Sequence, residues 1–394
     1  MSVTAADEAL AIKNELIALV TAVGPKLRER APQGTAQRKI PTENIADLVA
    51  TGALRACLPK RWGGFELPFG AHSDVALEIA RYDGSTGWVA GIIGSHNWWL
   101  GKFNPAAQEE ILSGNPNVLV AAAFASKHGS LATPVDGGYR LTGEWIWTSG
   151  VDHCSWCGLM APVPNAASPL DMQMLVLKRG EYTIKDVWYA PGMKATGSNN
   201  VVVEDVFVPA GRATRIGDLN NKASPGQKLN DGWTYRLPML QVFAYSIVGP
   251  IIGCARGALD AFVDQMSTRK GHDGTRMADL QSLQLRVAES SAELDAAEAL
   301  YRSDIAFVNT LAKTDGDLTP HHVARIARNC GFIANLCRRS GLRLVEALGA
   351  TGTEDSNPVQ RAFDDTLAGA AHRSLGWDLS ASNFGKLLLS GGAK

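Results

Sequence analysis

Between Val118 and Ile216 the chain abandons one hydrophobic period for another, and this change constrains the fold more than any single motif. Stretches such as VLVAAAF, GGYRLTGEWIWTSG, WCGLMAPV, MQMLVLKRGEYTIKDVWY and NNVVVEDVFVPAGRA alternate or carry β-branched runs, with turn residues between them. They predict a central β domain, a barrel or sandwich, over residues 118–222. On either side the period is helical. Residues 1–117 read as an N-terminal helical domain, with Ile45, Leu48 and Val49 at helical spacing. A Pro/Gly-rich loop, LPKRWGGFELPFG, separates them from a second helix that carries Ala76, Ile79 and Ala80 on one face and is almost wholly apolar from Ser85 onward. Residues 223–394 predict a C-terminal four-helix bundle. Its first helix sets Gly249, Gly253 and Gly257 four residues apart, a face bare enough for another helix to approach closely. The fold class is α+β.

Composition narrows the function. A net charge of −1 gives no electrostatic footprint for nucleic acid or an anionic membrane surface. No apolar run reaches the roughly 18 residues a membrane span needs, and the N-terminus lacks a signal-peptide core, so a cytoplasmic protein is expected. Six cysteines in 394 residues make no disulfide framework. Cys154 and Cys157 form a C-x-x-C without the second pair a zinc site needs, and neighbouring His321 and His322 diverge by about 100° on a helix. No metal is expected. A strict G-x-G-x-x-G, a P-loop, H-E-x-x-H and G-x-S-x-G are all missing, so no nicotinamide-binding unit is visible.

Four stretches carry a resemblance. LPKRWGGFE is similar to a P-x-x-(Tyr/Trp)-G-G loop, and GEWIWTSG to G-x-K-x-W-I-T-N. PGMKATGSNNVVVEDVFVP ends in E-D-V-x-V-P, and STRKGHDGTRMADLQSLQLRVAE is similar to R-x-x-F-G followed by Q-x-x-Q. In this order the motifs resemble the acyl-CoA dehydrogenase superfamily along nearly the whole chain. Within it, GSTGWVAGIIGSHNWWLGKF, WTSGVDHCSW and TGSN most resemble the oxygenase components of two-component flavin monooxygenases that act on phenols and indoles. Short-chain acyl-CoA dehydrogenases place a catalytic Glu near the C-terminus, whereas NPVQRAFDDTLAGAAHRSLGWD has none there and carries His372 instead.

The resemblance implies reduced FMN or FAD supplied by a separate flavin reductase, O2 as co-substrate, and oxygenation of a small aromatic substrate through a flavin C4a-hydroperoxide. It also implies a homotetramer. Ser149 would contact flavin N5, Trp147 and Phe124 would flank the ring, and Arg269 with Lys270 would hold flavin phosphate across a subunit boundary. His372 would stabilise the peroxide and deliver its proton. His96 would orient a substrate OH or NH, with Asn97, Trp98 and Trp145 as pocket walls. Strand alternation puts Trp145 and Trp147 on one face. Asp152 and His153 read as a solvated turn, and Glu289, Glu293 and Glu298 as solvated helix charges. Two alternatives stand beside this reading: an acyl-CoA dehydrogenase with a relocated base, and a non-catalytic flavoprotein.

Overall fold

The computed structural model describes residues 5–391, in which helices flank a two-sheet β unit. Helices α1 (Ala5–Gln37), α2 (Thr42–Thr51), α3 (Ala71–Ala80), α4 (Gly84–Leu100) and α5 (Pro105–Leu112) come first. The long helix expected around Ala76 is two helices. It breaks at Asp83, whose carboxylate accepts the Thr86 backbone N–H at 3.1 Å and caps α4. Every residue of α4 is buried, as its apolar sequence requires.

Nine strands follow: β1 (Val120–Ala123), β2 (Ala125–Ser126), β3 (Leu131–Val135), β4 (Gly138–Thr148), β5 (Trp156–Ala161), β6 (Gln173–Lys178), β7 (Thr183–Lys185), β8 (Asn199–Pro209) and β9 (Ala213–Arg215). One sheet runs β1-β5-β6-β9; the other runs β2-β4-β8-β7, with β3 beside β4. The sheets pack on each other through β1 and β4, β2 and β5, and β6 and β8. β1 and β5, paired in parallel, are buried almost throughout, which explains why VLVAAAF and WCGLMA read as continuous apolar runs.

Short helices α6 (Ile216–Leu219) and α7 (Met239–Val242) lead into α8 (Tyr245–Thr268), α9 (Gln281–Lys313), α10 (Pro320–Leu348), α11 (Pro358–Ala370) and α12 (Trp377–Leu389). α8, α9, α10 and α11 pack on one another, and α8 also lies against α3 and α4. Met239–Thr268 is the one described segment long and apolar enough to cross a membrane, and 89% of its most apolar window is buried inside the fold. The α9–α10 contact corrects one expectation. Glu293 is buried and accepts from Arg343 at 2.9 Å and from Arg339, so it is an interhelix ion pair and not a solvated charge. At the start of α10, Thr319 and His322 bond each other's backbone N–H groups, which makes His322 part of a helix cap.

The bare face of α8 meets the backbone of α3. A Cβ at Gly249 would lie 2.3 Å from the Ser73 carbonyl oxygen, at Gly253 2.1 Å from that of Leu77, and at Gly257 2.5 Å from that of Arg81. Nothing larger than hydrogen fits at this crossing. Gly253→Ala is therefore expected to lower stability by about 2 kcal/mol, the order of an overpacked core. A thermal melt that leaves the midpoint within a degree of the parent would show that the crossing yields at little cost.

Candidate functional site

The end of β4 departs from regular strand geometry. Trp145 pairs with Val201 and Thr148 with Asn199, so three steps on β4 face two on β8. The extra residue is a bulge, with Trp147 in the left-handed region at φ 62°. A bulge shifts the inside–outside phase by one. Trp145 is therefore sealed in the β core, its indole N–H donating to the Met160 carbonyl at 2.7 Å, and Trp147 is 63% exposed. The two tryptophans do not share a face, and Trp145 is core, not pocket wall.

Directly after the bulge, Ser149 is buried at a junction of three segments. Its Oγ accepts from the Trp88 indole N–H of α4 at 3.2 Å and lies 2.8 Å from Ser198 Oγ. Ser198 Oγ in turn lies 2.7 Å from Thr196 Oγ1. The neighbouring Thr148 Oγ1 is buried and has no hydrogen-bond partner among the described residues. An exposed indole, a buried unpartnered hydroxyl and the start of a hydroxyl chain thus follow one another at the end of β4. These residues fit a flat, hydrogen-bonding aromatic cofactor such as flavin.

His372 reaches the same place from the far end of the chain. It caps the turn Arg373–Leu375, its Nδ1 accepting the Ser374 backbone N–H at 3.2 Å. With Nδ1 occupied as an acceptor, the neutral ring carries its proton on Nε2. Burial lowers the imidazole pKa, which favours that neutral form. The ring stands 6.0 Å from the Trp88 indole, so Trp88 bridges His372 and Ser149. Trp88 sits within the apolar run of α4, where the sequence pattern alone marks it as core.

His96 is buried on α4, and its Nδ1 lies 2.6 Å from the Val120 carbonyl of β1. A carbonyl only accepts, so Nδ1 holds the proton and Nε2 keeps a lone pair. Burial takes the imidazole down to about 4. The ring packs 5.4 Å from Trp99. Nearby His72, also buried, sits between Cys57 Sγ at 3.5 Å and Ser246 Oγ at 3.3 Å; burial first, then His96, lowers it to about 3.

The residues expected beside His96 point elsewhere, because consecutive helix positions diverge by about 100°. Asn97 donates to the Leu54 carbonyl at 2.7 Å, and Trp98 to that of Thr234 at 3.1 Å. These bonds fasten α4 to the helical and C-terminal parts, away from the Val120 side that His96 faces. Phe124, just past β1, is half-buried against Phe243 at 5.0 Å. Asp152 is half-buried and accepts from Asn199 at 3.3 Å, and His153 beside it is half-buried too, so that turn is not simply solvated. All six cysteines are free and buried; burial raises the Cys154 and Cys157 thiols, which makes them poor nucleophiles.

Arg269 and Lys270 are exposed at the end of α8, Arg269 touching Thr351 Oγ1 at 3.3 Å. Ile251, on the same helix, packs by Gly369 next to Trp88. Eighteen residues of helix, about 27 Å, separate it from Arg269. Arg269 therefore cannot join Ser149 and His372 within one chain.

Comparison with known proteins supplies the context for this geometry. Residues 245–377 match the family model "Acyl-CoA dehydrogenase, C-terminal domain". The oxygenase subunit HsaA of a flavin-dependent monooxygenase from Rhodococcus jostii (strain RHA1) is 35% identical over 88% of this chain and 91% of its own. The oxygenase component of an FADH(2)-dependent resorcinol hydroxylase from Rhizobium sp. (strain MTP-10005) is 31% identical, covering 95% of this chain and 94% of its own. The crystal structure of 3-HSA hydroxylase from Rhodococcus sp. RHA1 superposes with a TM-score of 0.90 at 33% identity, over 95% of this chain and 97% of that one.

The buried histidines make stability depend on pH. His96 titrates near 6.5 when unfolded and at about 4 when folded, so the unfolded chain binds more protons and stability falls as pH drops from 6.5 towards 4. At pH 5 its share of the loss is about 2 kcal/mol. His96→Gln is expected to melt with a shallower decline than the parent between pH 7.5 and 5. Parallel curves would mean that His96 takes up its proton without unfolding.

Proposed function

The chain belongs to the oxygenase components of two-component flavin-dependent monooxygenases, built on the acyl-CoA dehydrogenase fold, and we propose that it hydroxylates a phenol-type aromatic with reduced FAD and O2. It is an oxidoreductase whose partner is a flavin reductase. The observation that carries the site is the run of contacts from Ser149 through Trp88 to His372, with the exposed indole of Trp147 two residues before Ser149. Reduced FAD is favoured over FMN because the Rhizobium relative is named FADH(2)-dependent. A phenol is favoured over an indole because that relative is a resorcinol hydroxylase.

Bound reduced flavin supplies the two electrons by which the atoms of O2 are divided between the aromatic ring and water. The chain's own residues do the rest. Ser149 Oγ would accept from the flavin N5–H, and Trp147 and Phe124 would flank the ring. His372 offers Nε2–H as a hydrogen-bond donor to oxygen and keeps that proton, because the ring is neutral and its other nitrogen is tied to the Ser374 N–H. His96 offers the opposite polarity: its Nε2 lone pair accepts from a substrate hydroxyl, which turns the phenol to one orientation. Buried Trp88 and Ser149 help keep bulk water from the reacting atoms.

Arg269 and Lys270 serve the flavin phosphates of a neighbouring subunit, a reading supported by their distance from Ser149 in the same chain. Exposed apolar side chains on the C-terminal helices, among them Leu285, Phe332, Leu342 and Leu379, support a homotetramer assembled through them. A cytoplasmic location suits a partner reductase.

The reading is tested with photoreduced FAD or FMN, ¹⁸O2 and a panel of phenols, resorcinols and indoles. A product carrying one ¹⁸O atom is expected, with FAD and phenols leading. Failure with every aromatic, combined with dye-coupled oxidation of an acyl-CoA, would restore the dehydrogenase alternative. His372→Ala is expected to cut product per reduced flavin by about 100-fold, with hydrogen peroxide released instead, the scale of a lost hydrogen-bond donor to developing negative charge; an unchanged yield removes His372 from the reaction. Arg269→Ala is expected to raise the Kd for reduced flavin by about tenfold, and an unaltered Kd removes it from the phosphate site.

A further inference from the structure

The hydroxyl chain behind Ser149 has a direction. Thr196 Oγ1 donates to the Met193 carbonyl at 2.9 Å. A carbonyl only accepts, and a Thr196 proton turned elsewhere would leave two lone-pair oxygens facing each other at that distance. Thr196 has then spent its single proton, so Ser198 must donate to Thr196 across their 2.7 Å contact. Ser198 has spent its own proton in turn, and Ser149 must donate to Ser198 across 2.8 Å. Trp88 Nε1, a donor only, takes one acceptor position on Ser149 Oγ. What remains on Ser149 is one lone pair and no free proton.

The acceptor end of this chain is held from two sides. The Met193 backbone N–H donates to Asp365 Oδ1, which lies on α11 and is buried. The Ala195 N–H donates to Ser85 Oγ of α4 at 3.2 Å. The turn that carries the Met193 carbonyl is thus fastened to the helix leading to His372 and to the helix carrying Trp88. The carbonyl itself also accepts from the Trp188 indole N–H at 2.9 Å, a bond that opposes its turning away.

Reduced flavin carries a hydrogen on N5 and offers it; oxidised flavin presents only a lone pair there. We propose that Ser198 and Thr196 are specificity-determining residues that lock Ser149 as an acceptor and so make the site select reduced over oxidised flavin. The inference rests on Ser149 as the partner of N5 and deepens it. With the lock in place, oxidised flavin would bring N5 against an oxygen with no proton to give, two acceptors facing each other in a buried place. Neither Ser198 nor Thr196 needs to touch the flavin; both act through Ser149.

The test is anaerobic binding of photoreduced FAD and, separately, oxidised FAD by the full chain. The readout is the ratio of the two dissociation constants. Ser198→Ala removes the acceptor for the Ser149 proton, and Thr196→Val leaves Ser198 free to turn its proton towards Ser149. Either change frees the Ser149 hydroxyl to donate outward. In both variants the preference for reduced FAD is expected to shrink by about tenfold, the worth of one hydrogen bond between committed partners. Ser198→Thr keeps the hydroxyl and is expected to retain the parental ratio, which separates polarity from packing. A parental ratio in both Ser198→Ala and Thr196→Val overturns the lock. If Ser149→Ala nonetheless changes the ratio, the N5 assignment survives that result; if Ser149→Ala leaves it unchanged, the assignment and the lock fall together.

Discussion

The crossing of α3 and α8 is the contact on which the rest of the structure depends. Three glycines on one face of α8 let its backbone approach the carbonyls of Ser73, Leu77 and Arg81 so closely that no side chain fits between. α8 is shared by two halves of the molecule: one side meets α3 and α4, and the other meets α9, α10 and α11. A looser crossing would move α11 relative to α4, and with it His372 relative to Trp88. The separation of those two rings is thus set by main-chain contact, which has little freedom to relax.

The two histidines given roles in the proposed reaction have opposite hydrogen-bonding sense. His372 has its acceptor nitrogen tied to the Ser374 N–H and shows a donor; His96 has its donor nitrogen tied to the Val120 carbonyl and shows an acceptor. Burial keeps both neutral near pH 7, so each tautomer is determined by the backbone group that faces it. A charged imidazolium at either position would lose this distinction, since both nitrogens would then donate.

Much of the architecture was legible because it depends on period and punctuation. The change to strand alternation near Val118, the glycine face of α8 and the apolar continuation of α4 all correspond to what the fold contains. His372 stood out through a comparison of motifs. What was not legible depends on a local exception or on contacts distant in sequence. The bulge that turns Trp147 outward is a single extra residue with positive φ, and nothing in GEWIWTSG marks it. Asn97 and Trp98 adjoin His96 in sequence, but a helix sends neighbours to different sides. Glu293 looks solvated until two arginines of α10 are placed beside it. Trp88 reads as core because it is core; its indole nitrogen matters only once Ser149, 61 residues later, is brought against it.

The route by which His372 arrives has a consequence for the life of the newly made chain. Translation produces Trp88, Ser149, Thr196 and Ser198 long before α11 and the turn that follows it. During that interval the β wall and its hydroxyls exist, but the Met193 turn lacks its Asp365 anchor and the histidine is still missing. On the proposed function, a nascent chain has no finished place for reduced flavin to meet oxygen until the last helices dock, when synthesis is almost over.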